Sequence, residues 1–546
     1  MLTKNQEVEI IITDLGSEGE GIGHLEDGMT VFVSDALPGD RVIAHITKVK
    51  KAYAYAFAAQ LLEPSSFRIE AKCPVARKCG GCTFQHMDYA RQLEYKQEKV
   101  YNCLTRIGGI ENPPMETIVG ADSPFFYRNK AQFPVGTDRE GRAVVGFYRR
   151  HSHDVVANTE CSIQAAVNKP VLEAVQRFLN DYRIAPYNEE TGKGLVRHVF
   201  TRTGFTSKEF MVCIVVNGDS LPHSEVLVED VKEIAAKEGY ELKSFSLNIN
   251  KKNTNVIMGD KCVPLYGELY IEDYIGDVKF RISPLSFYQV NPEQTRKLYD
   301  LAKEYAGLTG QEVLWDLYCG IGTISLYLSS GAKKVYGVEI VPEAIADARV
   351  NASLNNIKNA EFFVGASEDV ADSLPTPDVI VVDPPRKGCD RKLLDTIVSV
   401  SPARVVYVSC DPATLARDLK FLLQNGYELK RVRPVDQFPH TTHVETCVLL
   451  SHQQAKKSVT IDYTPDGSYM KNVNRHATYK EINEYVEEKY GFKLHSAYIA
   501  QVKRECGIEM GENYNLSKSD DYEPREVTPE KRAAIIDALK HFNMIE

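Results

Sequence analysis

Apolar, β-branched runs in this chain end abruptly on chemically active side chains, and that pattern restricts the fold more than any other feature of the sequence. Val405-Val406-Tyr407-Val408 stops at Ser409-Cys410-Asp411-Pro412. Asp378-Val379-Ile380-Val381-Val382 stops at Asp383-Pro384-Pro385-Arg386, where two fixed proline φ angles hold the turn still. Runs of this kind read as strands of a buried parallel sheet, and open α/β sheets bind their ligands outside the carboxyl ends of the strands. Cys410 and Asp383 therefore stand where chemistry is done. Thr442-His443-Val444-Glu445-Thr446-Cys447-Val448-Leu449-Leu450 begins a further strand with a polar edge, which puts Glu445 near the same rim. A cysteine in an apolar run is ordinarily an inert small hydrophobe; this one comes with two carboxylates.

The rhythm extends upstream. Residues 271–452 alternate strand and helix, the mark of a doubly wound, Rossmann-like α/β domain. Val313-Leu314-Trp315-Asp316-Leu317-Tyr318 runs into Cys319-Gly320-Ile321-Gly322-Thr323, where glycine lets a ligand approach the backbone. Val335-Tyr336-Gly337-Val338-Glu339 follows as the next strand and ends in a carboxylate suited to two ribose hydroxyls. A dinucleotide-binding dehydrogenase shares the glycines and the acid. It needs neither Asp-Pro-Pro-Arg nor Ser-Cys-Asp-Pro.

Cys73, Cys79 and Cys82 fall within ten residues, with Gly80-Gly81 between them, and offer three thiolates to one centre. A fourth ligand has to come from elsewhere. Zinc and an iron–sulfur cluster both accept four thiolates, so spacing does not choose between them. Residues 5–63 carry short alternating strands between Gly-rich turns, the signature of a small OB-like β-barrel. Tyr89, Leu93, Lys96, Val100 and Leu104 recur at helical spacing and predict an amphipathic helix over 88–107. Residues 120–270 read as an α+β middle domain, with a helix from about Val226 to Glu238. There Tyr127-Arg128-Asn129-Lys130 and Gly146-Phe147-Tyr148-Arg149-Arg150 mix aromatic and basic side chains; that suits stacking on flipped bases and phosphate contact, although strand aromatics are as often core. Beyond a polar linker, Thr478 to Tyr490 and Ser496 to Cys506 read as two helices around a short turn. They are similar to a helix-turn-helix unit, or form a helical appendage that packs on the enzyme or binds protein.

With 546 residues the chain has room for several domains. No apolar run approaches the roughly 20 residues that span a bilayer, and the polar start carries no signal segment. The expectation is a soluble, cytoplasmic protein with no membrane partner and no obligate protein partner. Twelve cysteines over this length do not make a disulfide scaffold. A net charge of −10 argues mildly against a polyanionic partner, so nucleic-acid binding would be local. Lys48-Val49-Lys50-Lys51, Arg149-Arg150-His151, Lys251-Lys252 and Arg386-Lys387 are the candidates, each a short run that also suits a solvated face.

Ser409-Cys410-Asp411-Pro412-Ala413-Thr414-Leu415-Ala416-Arg417-Asp418-Leu419, with Phe438-Pro439-His440-Thr441-Thr442-His443-Val444-Glu445 downstream, resembles the paired signature of the RNA uracil-5-methyltransferases. That family has a ribosomal-RNA (RumA/RlmD-type) and a transfer-RNA (TrmA-type) branch, and the resemblance covers residues 1–452. It implies S-adenosylmethionine as methyl donor, with cofactor contacts at Gln289, Tyr318, Glu339 and Asp383. It further implies Cys410 as nucleophile, Glu445 as general base, and a 4Fe-4S cluster on Cys73, Cys79, Cys82 and Cys161. Because the transfer-RNA branch lacks the cluster, the cysteines favour 23S rRNA as partner. Asp411 departs from the asparagine of many members, next to the nucleophile but outside its chemistry.

The expected architecture is multidomain: a TRAM-type OB-like barrel (1–63) that binds RNA, an α+β middle domain with the iron–sulfur site (64–270), a Rossmann-like methyltransferase domain (271–452) and a small helical extension (453–546). The expected activity is methylation of carbon 5 of a uridine in 23S rRNA through a covalent cysteine adduct. Modification of tRNA, an inactive RNA-binding protein and an amino-methyltransferase that would not need Cys410 are the alternatives.

Overall fold

A computed structural model describes residues 2–150, 152–370, 373–453, 478–506, 527–542 and 544–545. Met1–Gln453 form one compact unit and Gln454–Glu546 a second.

The first unit opens with five strands, Glu7–Leu15, Gly21–His24, Thr30–Ser34, Arg41–Val49 and Tyr53–Glu63, closed into a barrel. Their alternation sends Ile10, Ile12, Val31, Val33, Val42, Ala44, Ile46 and Ala56 into the interior, as a period of two requires. A seven-stranded sheet follows, in the order Lys261–Gly267, Glu241–Ile249, Glu209–Val216, Val196–Thr203, Lys130–Thr137, Ala143–Tyr148, Val155–Ala157. One face packs on helices Asn168–Asp181 and Ser224–Lys237. From this sheet Phe200, Met211 and Cys213 join the core of the next segment, with Ile271, Phe280, Tyr288 and Leu298.

The last sheet also has seven strands. Its order is Ala360–Val364, Lys334–Glu339, Val313–Leu317, Val379–Val382, Arg404–Ser409, Glu445–His452, Tyr427–Val435. The first five run parallel and the last two antiparallel to their neighbours. Strands Val379–Val382 and Arg404–Ser409 are buried almost throughout, which explains why they read as continuous apolar runs. The chain reverses its winding between Val313–Leu317 and Val379–Val382, and a crevice at that switch point is where such sheets take ligands. Helix Tyr89–Arg106 starts at Asp88, whose side chain accepts from Ala90 N, and buries Val100 and Leu104 among Leu415, Leu419 and Val432 of the last sheet and its helices.

The second unit has helices Tyr479–Tyr490, Ser496–Glu505 and Pro529–His541. Thr478 and Glu481 form a capping box, and Gly491 closes the first helix at φ +77°. Ile482, Val486, Ile499, Val502, Ile535 and Leu539 make a core of their own. The sequence reading gave two helices here; the third is an addition, because Ala533-Ala534-Ile535-Ile536 is a run that blurs the helical period. Residues 454–477, which include the polar linker, lie outside the described residues.

Candidate active site

The five parallel strand ends and one antiparallel strand start build the site. After Val313–Leu317 the chain turns through Tyr318 at φ +88°, and Tyr318 N and Cys319 N both donate to Val338 O at 3.0 Å. Gly320 and Gly322 take φ +54° and +82°, and a Cβ on Gly320 would meet nothing within 4 Å, so this turn faces open space. Glu339 receives Gly320 N at 3.3 Å on one oxygen and Val341 N at 3.1 Å on the other. Asp383 follows Val379–Val382, and Cys410 follows Arg404–Ser409. Asp411 caps helix Pro412–Gln424 by accepting from Ala413 N and Thr414 N at 2.9 and 3.0 Å. Aspartate caps as well as asparagine does, so the departure at this position leaves the turn intact.

All six residues expected at the cofactor and catalytic positions, Gln289, Tyr318, Glu339, Asp383, Cys410 and Glu445, line one cavity of about 710 Å³. That is within the usual range for a small-molecule site. Sequence reasoning left Asp316, Phe287, Phe438 and His443 unassigned and placed Arg386 only in a short basic run; all five line the cavity too. Phe438 and His443 were visible in the signature stretch, and Asp316 as a carboxylate inside an apolar strand. Phe287, 69% exposed at the cavity, gave no periodic signal.

The cavity is acidic. Burial pushes the Cys410 thiol up to about 12, Glu445 and Asp383 push it the same way, and Arg386 opposes them. Burial likewise raises the Glu445 carboxyl, with Asp383 adding to it and Arg386 opposing. Asp383 is raised by burial and by Asp316. One oxygen of Glu445 is buried without a hydrogen-bond partner, as is one of Asp316, whose other oxygen accepts from Ser325 Oγ. An acidic wall with orphaned acceptors suits a cationic ligand, and Glu339, the carboxylate ending Lys334–Glu339, suits a ribose diol. The residues therefore fit S-adenosylmethionine, a sulfonium nucleoside.

Cys73, Cys79, Cys82 and Cys161 gather in a second place. Burial, the main cause, raises Cys82 to about 11 and Cys161 to about 12, and Cys73 acts electrostatically on both. Gly81 N approaches Cys79 Sγ at 3.3 Å, and Gln85 Nε2 approaches Cys82 Sγ at 3.5 Å. Among the described residues no group of three or more His, Cys, Asp or Glu is placed to hold a metal ion. The loop beyond Cys82 reaches the segment between Phe438 and His443: Thr83 N and Phe84 N both donate to His440 O, at 2.8 and 3.0 Å.

Fold and cavity define the class: a methyltransferase with a Rossmann-like sheet of the S-adenosylmethionine-dependent kind. The family model tRNA (Uracil-5-)-methyltransferase matches residues 252–453, and the TRAM domain model matches residues 2–58. An uncharacterized RNA methyltransferase of Bacillus cereus is 49% identical over 452 residues, covering 82% of this chain and 97% of the relative. Another, from Halalkalibacterium halodurans, is 50% identical over 456 residues, covering 82% and 98%. The crystal structure of Pyrococcus abyssi tRNA (uracil-54, C5)-methyltransferase with S-adenosyl-L-homocysteine is 29% identical and aligns over 81% of this chain and 99% of that one, with a TM-score of 0.66. This chain belongs to the RNA uracil-5-methyltransferase family and carries an N-terminal TRAM domain. No helix among its described residues is long and apolar enough to cross a membrane.

Proposed function

We propose that the protein methylates carbon 5 of a uridine in 23S rRNA through a covalent adduct on Cys410. The observation that carries the reading is that Cys410, Glu445, Glu339 and Gln289 open into one cavity. Bound S-adenosylmethionine supplies an electrophilic methyl group. Carbon 5 of uracil is a weak nucleophile, so Cys410 adds to carbon 6 and turns the ring into an enolate whose carbon 5 takes that methyl. Glu445 then removes the hydrogen of carbon 5, the carbon 5–carbon 6 double bond re-forms, and the sulfur leaves as thiolate. Arg386, the cation that opposes the rise of both groups, favours the thiolate and the carboxylate that these steps use. Asp383 is close enough to that pair to hydrogen-bond the uracil edge or the cofactor. Glu339 holds the ribose, and Gln289 and Tyr318 complete the cofactor contacts. The target base has to leave its stack to enter, at a cost of a few kcal/mol that is least in single-stranded loops.

Cys73, Cys79, Cys82 and Cys161 would hold the 4Fe-4S cluster. Zinc and an iron–sulfur cluster both take four thiolates, and the choice of the cluster rests on the family resemblance. N–H donors directed at the sulfurs, as from Gly81 and Gln85, are a usual surrounding of such clusters. The uracil chemistry has no redox step, so the cluster's part is structural or in RNA recognition, with a redox role as the alternative. The cysteine set supports rRNA over tRNA. A tRNA substrate is the second reading, favoured by the Pyrococcus neighbour, a tRNA (uracil-54, C5)-methyltransferase.

The test is methyl transfer from labelled S-adenosylmethionine to unmodified 23S rRNA and tRNA, with Cys410→Ala as control and mass mapping of nuclease fragments. Labelled uridine in 23S rRNA, lost in the variant, is expected. Label in tRNA alone would move the target, and label retained by the variant would remove the adduct.

A further inference from the structure

We propose that Arg202 is a positioning residue, which reaches from the middle sheet to hold the segment carrying Gln289 and Phe287 against the cofactor cavity. Arg202 is 1% exposed, and its Nη2 donates to Ser286 O at 2.9 Å. Its Nε and Nη1 are buried without partners, and no carboxylate acts on it. Its guanidinium lies 5.6 Å from the Phe200 ring centroid, and burial lowers it only to about 10, so it stays a cation. Burying an unpaired charge is expensive, and stability gives no reason to keep one.

The neighbouring strand acts on the same segment. Lys130 stands opposite Arg202 in the sheet, and Asn129, just before it, donates from its backbone N to Val290 O at 2.9 Å and from Nδ2 to Gln289 O at 3.1 Å. Adjacent strands thus hold the carbonyls of Ser286, Gln289 and Val290. Between these anchors the side chains of Phe287 and Gln289 line the cavity. Ser286 Oγ continues the chain of contacts to Asp347, 2.8 Å away on helix Pro342–Leu354, which leads out of the Glu339 strand. The unpartnered nitrogens of Arg202 are closed to solvent, so an RNA phosphate does not reach them; the guanidinium serves the loop.

The inference rests on the cofactor role of Gln289. Arg202→Met and Arg202→Lys, made in the full chain, are compared with wild type in three measurements. These are thermal midpoint, S-adenosylhomocysteine affinity by calorimetry, and amide exchange across residues 283–291. Arg202→Met is expected to keep or raise the midpoint, since an apolar side chain replaces an unpaired buried cation. It is expected to weaken S-adenosylhomocysteine about 10-fold through misplaced contacts, with faster exchange confined to 283–291. Arg202→Lys, which keeps a donor, recovers part of the affinity. Unchanged affinity and exchange in Arg202→Met would overturn the proposal, and so would a variant that fails to fold or loses midpoint with exchange faster throughout. If wild type bound no S-adenosylhomocysteine, the cofactor reading would fall, while exchange at 283–291 would still decide the positioning role.

Discussion

Ser409 and Thr446 stand opposite each other where strand Arg404–Ser409 meets the antiparallel strand Glu445–His452. A parallel strand leaves the sheet at its carboxyl end and its antiparallel neighbour enters there. Cys410, one residue past Ser409, and Glu445, one residue before Thr446, therefore emerge on one rim. Sheet register brings Cys410 and Glu445, the proposed nucleophile and base, together across 34 residues of intervening chain.

Their roles separate kinetically. Cys410→Ala should lower methyl transfer by about 10⁴-fold or more, the scale seen on removing a nucleophile. Glu445→Gln should still permit attack and methylation but block release, so a protein–RNA adduct should accumulate on denaturing gels. Equal loss without an adduct would show that Glu445 acts before or during attack.

Acidity in the cavity has two consequences of opposite sign. The proposed reaction needs the Cys410 thiolate and the Glu445 carboxylate, and both groups are raised, so single-turnover rates should climb between about pH 6 and about pH 9. Stability runs the other way. Glu445 and Asp383 keep protons in the folded state that they lose in the unfolded chain, so their contribution is complete below the ordinary carboxyl range and is lost as pH rises through the raised values. Glu445→Gln should then show a higher midpoint than wild type by calorimetry at about pH 9, with the difference closing near about pH 4. A constant difference would point to packing instead.

Lys96 and Asp436 form an ion pair at 2.5 Å with neither side chain exposed. Lys96 Nζ also donates to Phe438 O at 2.9 Å, and Tyr89 OH to Asp436 at 2.8 Å, so helix Tyr89–Arg106 fixes the segment leading to Glu445. Burial lowers Lys96 and Asp436 opposes it. Lys96→Met leaves a buried carboxylate uncompensated and should cost about 3–5 kcal/mol in urea unfolding, most of it recovered in Lys96→Met/Asp436→Leu. A double variant no better than the single would mean that the pair itself contributes net stability.

Anaerobically purified protein should hold about four iron and four sulfide per chain, and Cys161→Ser should lose most of both. One zinc per chain and no sulfide would replace the cluster by a single ion. Because Thr83 and Phe84 donate to His440 O, loss of the centre should also speed amide exchange across 436–443.

Much of the sheet was legible because burial on both faces leaves a mark in the sequence. Val379–Val382 and Val405–Val408 can be read as strands without any neighbour, and their polar stops point at Asp383 and Cys410. Helix 88–107 was legible for the same reason at another period. Yet Lys96 read there only as one position of a stripe, for its partner lies 340 residues away. Cys161 carried no pattern and came only from the family resemblance. In the extension, the helix Pro529–His541 escaped because its apolar run does not keep one face.

The sequence by itself determined which segments become strands, where each must stop and which side chains stand at those stops, since periodicity and turn chemistry are local. Tertiary structure decided how the stops meet: the order of strands, the single cavity, and the side chains that fix its walls. Arg202 on Ser286, Asn129 on Gln289 and Lys96 on Asp436 act between positions far apart in the chain. Such contacts obey no period, and only packing the sheets and helices together brings their atoms within reach.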